Sequence, residues 1–496
     1  MRLREWLLLA ATAAAAPTGP VVAQVRMDTL ALRAHTYFLA HDLLLGRATG
    51  TVGAELAAAY IAGQCRALGL LPAATDYLQT VGLEESTVQS GTLLRVRQNM
   101  RETEFAYPDD FTPDVGTHST LVDFSGPAVY VGPAGELRPE SLRTLDLDGA
   151  VAVVAGARAS VQATEALREM GTVAIVHLLS DAGTFDLYRR SRGTTRLYHS
   201  DSTVRSSFLA ALPSILASPR LSYQLVSGTA LARGEPMEPA ALDREISFQI
   251  QLDRGAFDAY NVACVAPGHD PQARDTAIVF TAHYDHLGVG EPDASGDTIY
   301  NGFSDNAAGV AMLLAIAKAV AADPSRPFRH SILFVFLVGE ERGLLGADYY
   351  VHDPVWPLDR TEAVINIDAG APPGLQVSWR LAGVDSTGLG KLAIAAAVDR
   401  GWSTTTSPPR ANSDYYPFVR EGVPAVFLIP GPDPFEGLSA DSTAVLRKRW
   451  DYYHKPGDHW AEDFPFIGVA RYAEYGYLIA QAVDTNSTPL PRPERR

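Results

Sequence analysis

The chain has 496 residues, which is too long for one small module, so we expect two or three domains with a substantial core. Its 47% hydrophobic and 20% charged residues are typical of a globular protein and exclude collagen, a disulfide scaffold and a wholly disordered chain. The 57 acidic residues outnumber the 41 lysines and arginines and give a net charge of −16. Because nucleic acid binding depends mainly on lysine and arginine, we expect no nucleic acid partner.

The N-terminus has the pattern of a secretory signal. Arg2 and Arg4 precede an apolar run from Trp6 to Ala16, and small residues follow at Val21 to Ala23. The run is too short to span a bilayer, so we expect residues 1–23 to be a signal peptide and the protein to be secreted or periplasmic, with an uncleaved anchor as the alternative. No later stretch has the ~18 continuous apolar residues of a membrane helix. We therefore expect no stable membrane insertion after signal removal.

Two cysteines, Cys65 and Cys264, are present. An exported chain meets oxidising conditions, but the sequence does not show whether these residues approach each other. We treat both as structural and expect them to be unpaired.

The first two parts of the chain differ in their hydrophobic pattern. Helical spacing from Leu30 to Leu71 predicts two helices around a Gly and Thr turn, within an N-terminal part at residues 24–104. Residues 105–242 contain short β-rich runs, turns and one amphipathic helix, Ser160 to Met170. A structureless loop of that length is implausible, so we expect an inserted β-rich domain.

The last part, residues 243–485, alternates apolar strands with helices. Four buried strands are predicted at Ala277 to Ala282, Ile332 to Val338, Ala363 to Ile367 and Ala425 to Ile429, with helices near 306–322 and 387–399. Continuous apolar strands between helices indicate an α/β fold with a central, mostly parallel sheet covered by helices on both faces. Residues 486–496, rich in proline and charge, are expected to form a disordered tail.

Ionisable residues follow three of these strands or open the helix that comes next. In chain order they are His283, Asp285, Asp305, Glu340, Glu341 and Asp368. Because ligands bind at the carboxyl edge of such sheets, we expect these segments to converge on one crevice.

So many carboxylates in one crevice repel each other unless a cation neutralises them. Imidazole and carboxylate ligands without a thiolate suit Zn²⁺ best, with Mn²⁺ or Co²⁺ as alternatives. Asp305, Glu341 and Asp368 contribute −3 and a bound hydroxide −1, which balances two divalent ions. The sequence therefore favours two Zn²⁺ per chain.

Each of these signals also has a structural interpretation. Asp305 can be a helix N-cap, and the pair Glu340 and Glu341 can be a solvated first helical turn. His283 and Asp285 lie on the same face of an extended chain, so Asp285 can accept the imidazole N–H that faces away from a metal, or the two can be an ordinary strand-end pair. The ordered combination is what favours a metal site.

The combination resembles a known family. The matching segments are Ala282-His283-Tyr284-Asp285, Ser304-Asp305-Asn306-Ala307-Ala308-Gly309, Gly339-Glu340-Glu341, Ile365-Asn366-Ile367-Asp368 and Tyr453-His454-Lys455-Pro456-Gly457-Asp458. Their order is that of the co-catalytic di-zinc aminopeptidases, whose family also contains glutamate carboxypeptidases, glutaminyl cyclases and inactive transferrin receptors. The resemblance implies the zinc-exopeptidase fold. The insert is similar to a protease-associated domain, notably around Leu147-Asp148-Gly149-Ala150-Val151 and Pro213-Ser214-Ile215.

The resemblance also implies roles for individual residues. His283 and Asp368 would bind one zinc, Glu341 and His454 the other, and Asp305 would bridge them. Glu340 would be the general base, and Asp285 would orient His283. Asp414 and Tyr415 resemble the family's substrate-pocket segment, where members often have His in place of Tyr415. We expect His286 and His459 to be structural or supporting rather than ligands.

We therefore predict a secreted di-zinc metallo-aminopeptidase that hydrolyses the N-terminal peptide bond of peptides. A glutamate-carboxypeptidase-like metallo-carboxypeptidase is the first alternative, because it shares the metal centre and needs only a cation such as Arg410 for the terminal carboxylate. The second alternative is a non-catalytic, transferrin-receptor-like binding protein, since a fold does not dictate function.

Overall fold

The computed structural model describes residues 26–89, 91–114, 121–156, 159–192, 195–207, 212–322, 328–385 and 387–495. The predicted signal peptide, residues 1–23, lies outside these described residues and stays a prediction.

Twelve helices and nineteen strands make up the described chain. The helices are α1 Thr29–Leu39, α2 Val52–Ala67, α3 Pro139–Leu142, α4 Val161–Glu169, α5 Ala182–Arg192, α6 Pro219–Val226, α7 Ala308–Ala322, α8 Leu345–His352, α9 Gly388–Val398, α10 Tyr415–Arg420, α11 Ala440–Arg449 and α12 Ile467–Asp484. The strands are β1 Leu71–Pro72, β2 Leu78–Val88, β3 Leu93–Gln98, β4 Arg101–Ala106, β5 Phe111–Asp114, β6 Leu121–Pro133, β7 Val151–Ala155, β8 Ala174–Leu178, β9 Thr195–His199, β10 Ser214–Ala217, β11 Ala240–Ala266, β12 Ala277–His283, β13 Gly288–Val289, β14 Ile299–Tyr300, β15 Ser331–Leu337, β16 Thr361–Ile367, β17 Ser378–Ala382, β18 Ser403–Ser407 and β19 Ala425–Pro430. Short 3-10 turns lie at Asp42–Arg47, Thr75–Tyr77, Leu231–Arg233 and Leu358–Arg360, and a π turn at Phe303–Ala307 precedes α7.

The main sheet confirms the predicted α/β fold. Its central strands run parallel in the order β15, β12, β16, β19, and β11 and β17 flank them antiparallel. Every residue of β12 and β15 is buried, because helices cover the sheet on both faces, and most of their side chains are accordingly apolar. The carboxyl ends of the parallel strands therefore meet at one edge.

The insert has a second sheet with its own core. Strands β6, β7, β8 and β10 run parallel, with α4 connecting β7 to β8. Strands β3 and β4, and the first half of β11, belong to the same sheet, although they extend beyond the predicted bounds of 105–242. The long strand β11 passes from this sheet into the main sheet, where it pairs with β15. The identity of the insert as a protease-associated domain stays a prediction.

The expectation that the two cysteines are unpaired is wrong. Cys65 and Cys264 form a disulfide, with Cα atoms 6.3 Å apart and a sequence separation of 199. Cys65 lies on α2, which packs on β11, the strand that contains Cys264. The pairing depends on this helix-to-strand contact, which the spacing of the two residues along the chain does not reveal.

Residues 486–495, which the sequence predicts to be a disordered tail, contact the main domain in the structure. Leu490 is buried, and its backbone N–H donates to Glu362 at 2.7 Å. The guanidinium of Arg492 donates to the carbonyl oxygens of Leu358, Asp359 and Thr361. These bonds hold the tail against the start of β16.

One helical stretch, Phe303–Ala322, is long and apolar enough by composition to cross a bilayer, although the sequence predicts no continuous apolar run of that length. In the structure 78% of this window is buried inside the protein. Its apolar residues form part of the main core, together with the sheet strands and α12.

Candidate metal centre

The predicted crevice forms at the carboxyl edge of the main sheet. His283 is the last residue of β12, Glu340 and Glu341 follow β15, and Asp368 follows β16. Asp305 comes from the π turn before α7. Strand order alone brings the first three segments together, because β15, β12 and β16 are parallel neighbours.

One group of donor atoms surrounds His283. Its Nε2 lies 2.8 Å from Asp368 Oδ1 and 3.1 Å from Asp305 Oδ1. The ring is fully buried, and both carboxylates are nearly so. These three residues form one candidate metal group.

The second group uses the other oxygen of Asp305. His454 Nε2 lies 3.0 Å from Asp305 Oδ2 and 3.3 Å from Glu341 Oε2. His286 completes the group, with its Nδ1 2.7 Å from Glu341 Oε1. The four ligand atoms lie within 4.8 Å of one another. Asp305 thus belongs to both groups, as a bridging carboxylate would.

Neighbouring residues hold the acidic side chains in place. Asp458 accepts hydrogen bonds at 3.0 Å from the N–H of Ser304 and at 3.3 Å from that of Asp305, which fixes the turn that presents Asp305. Ser413 donates to Asp368 Oδ2, and Asn366 in turn donates to Ser413 at 2.7 Å. Asp368 therefore has one oxygen tied to the protein and the other directed at His283.

Asp285 contacts His283 differently from the prediction. His283 Nδ1 lies 3.0 Å from the backbone carbonyl oxygen of Asp285 and 3.7 Å from its carboxylate. The carboxylate instead accepts from Thr49 Oγ1 at 2.9 Å and from the N–H of Glu340 at 3.2 Å. The chain turns directly after β12, so the carbonyl of Asp285 reaches the ring first. The carboxylate joins the N-terminal turn to the segment that carries Glu340.

The crowding of charge perturbs the pKa values of two central acids in opposite directions. Burial raises the pKa of Glu340 well above its usual value, and the carboxylates of Asp368 and Glu341 add to this effect against the opposing influence of His283. Burial also acts to raise the pKa of Asp305, but the nearby imidazoles of His283 and His454 outweigh it and hold that pKa well below its usual value. A bound cation would lower the pKa of each carboxyl group that it contacts.

Sequence reasoning missed the part that Arg47 plays. This arginine is fully buried, and its guanidinium donates to the carbonyl oxygens of Leu39, Tyr284, Asn301 and Gly302. It joins the N-terminal segment to the exit of β12 and to the turn before Asp305. The Gly-Arg pair was visible in the sequence, but nothing in its spacing indicated a buried charge.

Tyr453 was also missed, although it precedes a predicted ligand. Its ring stacks on that of His454, with centroids 3.9 Å apart and planes 17° apart. Burial raises the pKa of its phenol, and the carboxylates of Asp305 and Glu341 raise it further. The phenol therefore stays protonated at the edge of the acidic centre and can donate a hydrogen bond there.

The three predicted pocket residues have different surroundings. Arg410 is exposed, while Tyr415 is completely buried, with its hydroxyl 2.8 Å from the backbone N–H of Arg410 and 3.2 Å from Asn412 Oδ1. The buried Tyr415 therefore holds the neighbouring segment at Arg410 and Asn412 and does not offer a surface to substrate. Asp414 is also buried, and both carboxylate oxygens lack a hydrogen-bond partner among the described residues.

The donor set fits divalent cations. Two imidazole-containing groups share a carboxylate and have no thiolate, which is the ligand chemistry that zinc accepts and that manganese or cobalt also tolerate. His454 Nε2 is buried and forms no hydrogen bond of normal geometry, although it faces two carboxylates. Such an atom is satisfied by a cation placed between the three side chains.

Comparison with known proteins shows the fold of the chain and a family match over part of it. A solved aminopeptidase from Aneurinibacillus sp. strain AM-1 superposes on 95% of this chain and 96% of its own, with a TM-score of 0.56 and 16% identity. At that identity the likeness shows the shared fold. Residues 261–466 match the sequence profile of Peptidase family M28. This matched segment is less than half of the chain, and over it the sequence is similar to Peptidase family M28.

Curated relatives are similar over part of their length. A protein named "probable leucine aminopeptidase 2" from Aspergillus oryzae is 24% identical over 262 residues, which cover 48% of this chain and 48% of that protein. A vacuolar membrane protease from Yarrowia lipolytica is 32% identical over 124 residues, covering 25% of this chain and 11% of that protein. The chain thus spans less than half of either relative.

Proposed function

We propose that the protein is a zinc-dependent aminopeptidase that binds two Zn²⁺ and hydrolyses the N-terminal peptide bond of peptides. The observation that carries the proposal is the pair of donor groups that share Asp305, beside a separate acid, Glu340. His283, Asp305 and Asp368 would hold one ion, and Asp305, Glu341 and His454 the other. Relatives named as aminopeptidases and the match to Peptidase family M28 support the choice of reaction.

The metal pair would polarise the scissile carbonyl and increase the acidity of a bound water. We assign the proton transfers to Glu340. It accepts a proton from the attacking water, and it returns that proton to the nitrogen of the leaving amine as the carbon–nitrogen bond breaks. Burial and neighbouring carboxylates raise its pKa, which favours a proton carrier over a permanently ionised ligand.

We also propose that the protein works outside the cytoplasm. The sequence pattern of residues 1–23 supports export, and a disulfide between Cys65 and Cys264 is typical of proteins in oxidising compartments. The substrates we propose are peptides with a free amino terminus.

The substitution Glu340→Gln tests the mechanism. It removes the base but keeps the shape of the side chain, so the zinc content should persist while kcat falls by ~10² or more, the usual size of a general-base contribution. Glu169→Gln, at the exposed end of α4 in the insert, is the matched control and should keep wild-type turnover. Turnover is measured with aminoacyl-nitroanilides, and zinc content by atomic emission. Wild-type turnover in Glu340→Gln would refute the assigned base.

The direction of cleavage is tested with blocked peptides. An aminopeptidase should hydrolyse a peptide that is amidated at its C-terminus and should not hydrolyse the same peptide when it is instead acetylated at its N-terminus and has a free carboxylate. The reverse pattern would indicate a carboxypeptidase and would direct attention to Arg410, which is exposed near the proposed pocket. Hydrolysis of neither peptide by zinc-loaded protein would favour the binding-protein alternative.

A further inference from the structure

His286 has a geometry that the mechanism above does not use. Its side chain is completely buried, and Nδ1 lies 2.7 Å from Glu341 Oε1 and 4.0 Å from Asp305 Oδ2. A carboxylate oxygen can only accept, so Nδ1 carries the proton in this contact. Nε2 is buried and has no hydrogen-bond partner among the described residues. The ring therefore has one described hydrogen bond, and its acceptor is a candidate ligand.

The two oxygens of Glu341 face different neighbours. Oε2 lies 3.3 Å from His454 Nε2, which is itself 3.0 Å from Asp305 Oδ2. These three atoms enclose the place where the second ion would sit. Oε1 is the other oxygen of the same carboxylate, and it is the one that His286 contacts. The imidazole thus contacts the Glu341 oxygen that does not face His454.

Equivalent supports exist for the other two carboxylates. Ser413 donates to Asp368 Oδ2 and leaves Oδ1 for His283. Asp458 fixes the backbone that presents Asp305. Without His286, Glu341 would be the one predicted carboxylate ligand that lacks such a support among the described contacts.

The backbone around His286 is built to hold the ring. Its N–H donates to the carbonyl of Arg47 at 3.2 Å, so the buried arginine and the histidine are directly linked. Gly302 lies against the ring, and an added Cβ there would come within 2.6 Å of the imidazole. Gly302 also has a φ of +60°, which glycine adopts at little cost. A glycine at this position leaves the space that the ring occupies.

We propose that His286 is a positioning residue that donates from Nδ1 to Glu341 Oε1 and thereby directs Glu341 Oε2 at the second metal ion. The proposal rests on the proposed function, because it requires that a second ion binds. Hydrogen-bonded partners of metal ligands typically change metal affinity by about 10–100-fold when they are removed. The effect should be concentrated on the second ion, since the shortest contact of His286 is with Glu341, its contact with the shared Asp305 is longer at 4.0 Å, and its described contacts do not include His283 or Asp368.

Zinc binding by the full chain tests the proposal without relying on activity. Metal-free protein is titrated with zinc against a competing chelator, and two dissociation constants are fitted. In His286→Ala one of the two dissociation constants, that of the second ion, should rise by about 10–100-fold. The other dissociation constant should stay near the wild-type value. His286→Asn places an amide N–H close to the position of Nδ1 and should restore most of the affinity. His459→Ala removes an exposed histidine near the site and should leave both constants unchanged.

Each outcome has a definite meaning. Two wild-type constants in His286→Ala would overturn the proposal, and so would an equal loss at both sites. If His286→Asn binds the second ion as weakly as His286→Ala, the imidazole itself coordinates the metal, which also overturns the positioning role. If His286→Ala does not fold, as judged by circular dichroism, the comparison of His286→Asn with wild type decides. Wild-type protein that binds fewer than two ions would instead refute the proposed function.

Discussion

The buried guanidinium of Arg47 gives a strong prediction about stability. Its nitrogens donate to four carbonyl oxygens on three segments that surround the candidate centre. The substitution Arg47→Met keeps an unbranched side chain of similar length but removes every donor. The four carbonyl groups would then lose their partner in a region that is closed to solvent.

The expected magnitude follows from two opposing contributions. Hydrogen bonds from a charged donor contribute roughly 1.5–3 kcal/mol each, so four of them amount to about 6–12 kcal/mol. Burial lowers the pKa of Arg47 to about 10 even though the carboxylates of Asp285 and Asp458 oppose the shift. A decrease of that size from 12.5 corresponds to about 3 kcal/mol against the buried charge, which the substitution would relieve. The difference between these two contributions is reduced further because the carbonyl groups can relax after the substitution. We therefore expect the free energy of unfolding to fall by about 3–5 kcal/mol.

Urea unfolding followed by circular dichroism measures this loss. Arg47→Lys keeps the charge and up to three donors, so it should lie between wild type and Arg47→Met. Arg360→Met changes an exposed arginine and should stay within about 0.5 kcal/mol of wild type. A free energy of unfolding for Arg47→Met within about 1 kcal/mol of wild type would show that the four contacts do not hold the segments together.

Two further predictions concern the disulfide and a buried acid. Replacing Cys65 and Cys264 together by alanine should lower the free energy of unfolding in urea by about 2–5 kcal/mol, because the bond joins positions with a sequence separation of 199. An unchanged urea midpoint would contradict this prediction. Burial raises the pKa of Asp348 from 3.8 to about 6. Between these two pH values the folded state retains a proton that the unfolded state releases. The free energy of unfolding therefore falls as the pH rises from about 4 to about 6. Asp348→Asn cannot titrate, so its free energy of unfolding relative to wild type should increase by up to about 3 kcal/mol between pH 4 and pH 7. A difference that does not vary with pH would refute the assignment.

Much of the main sheet was predictable because its strands are buried on both faces. The predicted strand Ile332 to Val338 differs from β15 by one residue at each end, and Ala277 to Ala282 differs from β12 by one. A continuous apolar run between helices has few other structural interpretations. Once the strands are parallel, their carboxyl ends must meet, so the convergence of His283 and Asp368 follows from strand order.

The parts that could not be predicted depend on contacts between distant segments. The Cys65–Cys264 bond requires that α2 packs on β11, and no local pattern encodes that contact. His286 follows the recognised motif by one residue, but the side to which its ring turns depends on a bend after β12 and on the space beside Gly302. Burial of Arg47 was equally hidden, because arginine in a Gly-rich turn is usually solvated. Local sequence therefore identified the acids more readily than the groups that hold them.

The balance of charge at the crevice connects the fold to its proposed metals. Seven carboxyl groups lie in or against the centre, namely Asp285, Asp305, Glu340, Glu341, Asp368, Asp414 and Asp458. The guanidinium of Arg47 is buried near them, but its donors are directed at backbone carbonyls rather than at carboxylates. Burying that many acids without more positive charge would force several to take up protons. Two divalent ions would allow the ligating acids to remain ionised, so metal binding should stabilise the same turns that Arg47, Asp458 and His286 hold in place.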